Sequence, residues 1–179
     1  MAGQGQAPAR QAAHHAGLDW SIPATTVNKM CGSGMQAAMM TADRLMRCNG
    51  TGVAGGMESM SRAPQLILET RKGFRMGHQK IYDSMFLDGL EDAYEPGTLM
   101  GVYAERTAQE RQISRETQDE FALSSLSRAR AASEGAFRHE ITPVTVADRK
   151  SETTVDRDEQ LATARPEKIP HLKDRKSVV

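Results

Sequence analysis

Aromatic residues are scarce in this sequence, with one Trp, three Tyr and four Phe among 179 residues. An interior built from it is expected to be aliphatic and filled by its eleven methionines, whose flexible thioethers adapt to irregular gaps. Net charge is missing too: 23 basic and 23 acidic side chains cancel to +0. With no basic stripe, neither nucleic acid nor an anionic membrane is expected as a partner. No run approaches the roughly 18 apolar residues of a membrane span, and the first residues lack the apolar centre of a signal peptide. Two cysteines are too few for a disulfide framework and suit a reducing compartment, so the expected location is cytoplasmic. A hydrophobic content of 39% is that of a globular chain, long enough for one domain or a little more.

Against this plain background Cys31 stands out, in Val27-Asn28-Lys29-Met30-Cys31-Gly32-Ser33-Gly34. Before it runs Ile22-Pro23-Ala24-Thr25-Thr26-Val27, whose β-branched residues favour a strand. After it Met35, Ala38, Met39, Ala42, Leu45 and Met46 recur at helical spacing. A strand, a sharp turn and a helix beginning beside the thiol are therefore predicted. At a helix N-terminus unpaired N–H groups and the positive end of the macrodipole stabilise an anion, which favours the thiolate. A thiolate attacks carbonyl carbon. Gly32 and Gly34 lack Cβ atoms, which lets a flat acyl group approach both the sulfur and the backbone donors. The layout is that of a strand-nucleophile-helix elbow. The other reading of a free cysteine is a small buried hydrophobe, which has no use for a glycine-flanked turn. Cys48 is the contrast: in Arg47-Cys48-Asn49-Gly50 it sits at the far end of the same helix, where Asn and Gly signal a stop and the dipole disfavours an anion. It reads as structural or incidental.

Thr51-Gly52-Val53-Ala54-Gly55-Gly56 reads as a second short strand, so strand, helix and strand predict a parallel βαβ unit. Upstream, residues 8–18 read as a helix with Pro8 at its start and Gly17 at its stop. His14 and His15 are adjacent, pointing about 100° apart on a helix, and are a poor pair for one metal; no metal site is expected. From residue 62 the composition shifts to interleaved charge and methionine. Leu99 to Gln112 reads as an amphipathic helix, and Ser114 as the N-cap of the next, with Glu116 in its first turn and Gly135 as its stop. Phe121, Leu123, Leu126 and Ala129 are its expected buried positions. Glu140 to Val146 reads as a strand that Pro143 demotes to an edge, and Asp148 to Glu159 as solvated surface.

Several of these pieces, taken in chain order, resemble the thiolase family of acetyl-CoA acetyltransferases and 3-ketoacyl-CoA thiolases. They are Gly5-Gln6-Ala7-Pro8-Ala9-Arg10-Gln11-Ala12-Ala13, the Cys31 motif, Ala54-Gly55-Gly56-Met57-Glu58-Ser59-Met60-Ser61, Asp83-Ser84-Met85-Phe86-Leu87-Asp88-Gly89-Leu90, Met100-Gly101 with Ala104-Glu105, and Ser114-Arg115-Glu116 with Gln118-Asp119. The likeness runs from residue 3 to 173. It implies an α/β chain, part of a thiolase-like αβα layered fold with an inserted, mostly helical loop domain. Residues 1–61 would be the αβ part with the elbow, residues 62–173 the loop domain over the substrate, and residues 174–179 a tail foreign to the family.

The resemblance also implies an activity: acyl-CoA C-acyltransfer through an acyl-enzyme on Cys31. Leu90 and Met100 fall where the family lines its pantetheine tunnel, coenzyme A or acyl-CoA enters as substrate with no permanently bound cofactor, and the assembly is a homodimer or homotetramer. Thiolases also use a histidine in a Gly-His-Pro motif and a second cysteine in a Cys-x-Gly-Gly-Gly motif. Neither motif occurs here, and His78, His139, His171 and Cys48 stand in other contexts. The chain is accordingly expected to be an internal piece of the N-terminal half, with activity of the isolated chain left open. Where many thiolases carry an arginine after Asp158-Glu159, this sequence has Gln160-Leu161-Ala162, which leaves Arg71, Lys72 and Arg75 as weaker candidates for attracting phosphate. A β-ketoacyl synthase-like condensing enzyme shares the fold, but the Gly-Gly-Met-Glu-Ser-Met-Ser stretch argues for a thiolase. A noncatalytic interaction fragment is the remaining alternative.

Overall fold

The computed structural model describes residues 2–148 and 151–172, so the stretch at 174–179 lies outside the described residues. The chain forms two compact units that divide between Leu99 and Met100.

In the first unit, α1 (Pro8–His15) opens with proline inside its first turn, where a missing N–H is no loss. Gly17, with φ 78°, takes the left-handed conformation that ends the helix, as the sequence predicts. Ala9 donates its N–H to Thr26 Oγ1 at 3.1 Å. One of the helix's unpaired donors is thereby satisfied by the segment leading to Cys31. Helix α2 (Ser33–Leu45) follows the turn, and the chain returns past it so closely that a Cβ at Gly52 would collide with the methyl of Thr41.

The predicted parallel βαβ unit is not formed. Neither residues 22–27 nor residues 51–56 pair with any strand among the described residues. Parallel pairs persist where both faces are covered, and residues 51–56 are exposed throughout. The covered stripe of α2 is instead Gln36, Ala37 and Thr41, all half-buried, while Met35, Ala38, Met39, Ala42, Leu45 and Met46 are exposed. Further on, β1 (Gln65–Leu66) pairs antiparallel with β2 (Tyr82–Asp83). The ribbon leads into Ser84, the one buried polar residue among those described, whose N–H donates to the Pro64 carbonyl at 3.2 Å. A π-helical turn, Phe86–Leu90, follows.

In the second unit, α3 (Met100–Glu110) and α4 (Arg115–Glu134) agree with the sequence reading, down to the Ser114 cap, whose Oγ accepts the Thr117 N–H at 3.2 Å, and the stop at Gly135. Two short strands, β3 (Val144–Ala147) and β4 (Glu152–Val155), form an antiparallel ribbon with Val144 opposite Val155. The first begins after Pro143, which has no N–H for a ladder. The second lies inside the stretch expected to be plain solvated surface. It is exposed but regular. Helix α5 (Glu159–Thr163) is capped by Asp158, whose carboxylate accepts the Gln160 N–H at 2.9 Å. Arg130 on α4 clasps it, donating from Nε to the Leu161 carbonyl at 3.0 Å and from Nη2 to the Ala164 carbonyl at 2.7 Å. Near the start of α4, Arg115 donates to the Ile169 and Leu172 carbonyls.

Two expectations about the interior are corrected. Phe121 is 75% exposed, whereas Leu123, Leu126 and Ala129 are half-buried; Phe121 borders an open groove of about 440 Å³ between α4 and α5 instead of filling a core. No methionine interior is present among the described residues either. No hydrophobic side chain there is buried, and nine of the eleven methionines are exposed. Along α2 the apolar stripe that the periodicity marks is exposed among the described residues. No helix of the described residues is long and apolar enough to cross a membrane.

Candidate active site around Cys31

Cys31 is exposed, one residue before Gly32, the N-cap of α2. The turn that presents it is tight. Lys29 and Cys31 bridge in parallel fashion across Met30, and Met30 has φ 49°, a left-handed conformation that an unbranched non-glycine residue enters only at a cost. Side chains on both flanks hold this backbone. Asn28 Oδ1 accepts the Met30 N–H at 3.2 Å. Ser33 Oγ accepts the Lys29 N–H at 2.8 Å and donates its own proton to the Met30 carbonyl at 2.6 Å. Backbone bonds close the turn, from the Gly32 N–H to the Lys29 carbonyl at 3.0 Å and from the Ser33 N–H to the Met30 carbonyl at 3.1 Å.

The two glycines differ. A Cβ at Gly32 would come into van der Waals contact with the Lys29 carbonyl oxygen at 3.4 Å, whereas one at Gly34 would meet nothing within 4 Å. Gly34 is therefore not demanded by the chain's own packing. It leaves the surface beside the turn clear, above a helix whose start bears no side-chain cap. Such a start offers N–H groups and a positive dipole end to an anion.

Cys48 is likewise exposed and free, but it follows the C-terminal turn of α2, where its N–H bonds to the Arg44 carbonyl at 3.1 Å. Leu90 closes the π-helical turn of the first unit and is 40% exposed; Met100 opens α3 in the second unit and is 41% exposed. Arg71, Lys72 and Arg75 are exposed, the first two in a single 3₁₀ turn, Thr70–Lys72. Gln160-Leu161-Ala162 lies in α5. The ring of His14 stacks on Trp20 at 4.2 Å between centroids, a contact that the sequence reading left out. Among the described residues no three His, Cys, Asp or Glu side chains converge as they would on a metal ion. Sequence reasoning also missed Ser33 and Met30 as parts of the turn. The signal was a hydroxyl residue three positions after Met30 and four after Lys29, the reach of a local side-chain to backbone bond.

Residues 1–174 match the family model described as thiolase, N-terminal domain. The acetyl-CoA acetyltransferase of Cupriavidus necator is 49% identical over 153 residues, which is 84% of this chain and 39% of that protein. That of Pseudomonas aeruginosa is 50% identical over 163 residues, 89% of this chain and 41% of the relative. Among solved structures, the Acat5 thiolase of Ascaris suum in complex with coenzyme A matches with a TM-score of 0.83 at 34% identity, covering 96% of this chain and 43% of that one. The chain thus spans about two-fifths of the length of these relatives. Its fold is a partial α/β thiolase fold, and the chain belongs to the thiolase family.

Proposed function

We propose that the protein is an acyl-CoA C-acyltransferase in which the Cys31 thiolate attacks the thioester carbonyl of an acyl-CoA. The new bond joins sulfur to the acyl carbon, the bond to coenzyme A breaks, and the coenzyme leaves as its thiolate. The acyl group then passes back to a coenzyme A thiol or on to the carbanion of acetyl-CoA. The observation that carries this reading is the exposed thiol on a hydrogen-bonded turn at the start of α2, in a chain of the thiolase family. Backbone N–H groups near Cys31 and Gly34 are suited to stabilising the developing oxyanion.

Leu90 and Met100 are the side chains we assign to the pantetheine arm, each partly exposed and apolar. In this reading residues 1–61 carry the nucleophile and residues 62–173 the substrate cover, a functional division distinct from the geometric one between Leu99 and Met100. No resident cofactor is required, and acyl-CoA is the substrate. The exposed apolar stripe of α2 supports assembly with further polypeptide, as a homodimer or homotetramer, and two free cysteines suit the cytoplasm.

Acyl trapping tests the proposal. The protein translated from the whole reading frame containing these residues is incubated with acetyl-CoA at neutral pH, and the acetyl mass is located by peptide mass spectrometry. Acetylation at Cys31 that disappears in Cys31→Ser is expected. A folded protein that turns over acetyl-CoA with Cys31 never modified overturns the assignment.

A further inference from the structure

We propose that Ser33 is a positioning residue for Cys31, acting through the backbone of Met30 and not by touching the thiol. The inference rests on the reading of Cys31 as nucleophile and adds the device that aims it. Met30 must hold φ 49° for the chain to turn between Lys29 and Cys31. Met30 is not a glycine, so this conformation persists only if its surroundings over-determine it. Ser33 supplies two of the side-chain bonds that do so, beside the one from Asn28. Its hydroxyl accepts from Lys29 N–H at 2.8 Å on one side of the strained residue and donates to the Met30 carbonyl at 2.6 Å on the other. The carbonyl of Met30 is thereby pinned toward the first turn of α2, where the Ser33 N–H also reaches it at 3.1 Å.

The hydroxyl has one proton, and that proton is given to Met30. It is therefore not the donor that stabilises a thiolate. The helix start is without a side-chain cap because its N-cap residue is Gly32, which has no side chain. A serine here fixes the elbow from both sides of Met30.

Alkylation of the intact chain by iodoacetamide tests the brace, with each site read by peptide mass spectrometry and Cys48 in the same molecule as the internal reference. Wild-type Cys31 is expected to react faster than Cys48. Ser33→Ala is expected to slow Cys31 relative to Cys48 by about fivefold, the lower end of what loss of a hydrogen bond at a strained turn produces. Ser33→Thr keeps the hydroxyl and the wild-type ratio. The deciding variant is Met30→Gly combined with Ser33→Ala. Glycine enters the left-handed region freely, so the brace becomes dispensable and the ratio returns toward wild type. An unchanged ratio in Ser33→Ala, or a double variant as slow as Ser33→Ala alone, overturns the positioning role while leaving the nucleophile in place. A wild-type Cys31 no faster than Cys48 instead removes the nucleophile reading on which the brace depends.

Discussion

Helices α2 and α4 are held by opposite means. Along α2 the apolar residues Met35, Ala38, Met39, Ala42 and Leu45 face solvent, and the helix is located by the turn at its start and the close passage of Gly52 past Thr41. Helix α4 is polar over most of its surface, yet it is tied to the chain at three places: the Ser114 cap, the Arg115 bonds to Ile169 and Leu172, and the Arg130 clasp on α5. Amphipathic spacing thus tells which face of a helix wants cover, whereas guanidinium-to-carbonyl bonds tell where a helix is held.

Breaking the clasp has the largest expected effect. Helix α5 has five residues, far below the length at which an isolated helix is stable, so its order depends on what it is bonded to. Arg130→Ala leaves the Leu161 and Ala164 carbonyls without their charge-assisted donor. The expected loss is about 2–3 kcal/mol in the stability of this segment. Amide hydrogen exchange over residues 159–164 is the measurement, and protection equal to wild type shows that packing in the groove beside Phe121, not Arg130, holds α5.

The contrast also marks what could be read from the sequence. Caps and stops were legible because each is a local event: Pro8 and Gly17 bound α1, and Ser114 and Gly135 bound α4, by rules reaching no more than a few residues. The turn at Cys31 was legible for the same reason, in outline. The predicted βαβ sheet was not realised, since pairing of residues 22–27 with residues 51–56 depends on neighbours that local pattern does not specify. The Arg130 clasp joins residues 31 and 34 apart in sequence, and no periodicity announces it. Phe121 shows a further limit. Its spacing on α4 predicts burial, but burial needs an opposing surface, and α5 covers only one side of that groove.

Ser114 gives a smaller effect at the other end of α4. Replacing a serine N-cap by alanine costs about 1 kcal/mol, and Ser114→Ala is expected to lose that amount in a urea titration. It also acts on Glu116. The carboxyl of Glu116 is held below its ordinary value of 4.5 by its own backbone N–H first and then by the Ser114 hydroxyl. A lowered value in the folded state adds stability that is present above the unfolded value and disappears as pH falls through the folded one. Ser114→Ala should therefore move the Glu116 titration upward, as read by carboxyl carbon NMR, and shrink the acid-side loss of stability. A titration that stays in place assigns the whole depression to the backbone.

The smallest effect is expected on the open face of α2, and it carries the comparison furthest. Met39 is 56% exposed in the middle of the stripe. If nothing covers that face, Met39→Lys changes no packing: the lysine stem lies along the helix, the ammonium reaches water, and helix propensity is nearly unchanged. Stability should shift by less than about 0.5 kcal/mol, while binding of a dye that reports exposed apolar surface should fall. In an assembled protein the same substitution places a charge against a covering surface, where desolvation is costly. Weak destabilisation of the isolated chain together with loss of a dimer or tetramer in sedimentation would identify the stripe as an assembly face. Equal sedimentation for wild type and variant would leave the methionines of α2 as exposed apolar surface with no role in assembly, and would place the cover for the elbow elsewhere.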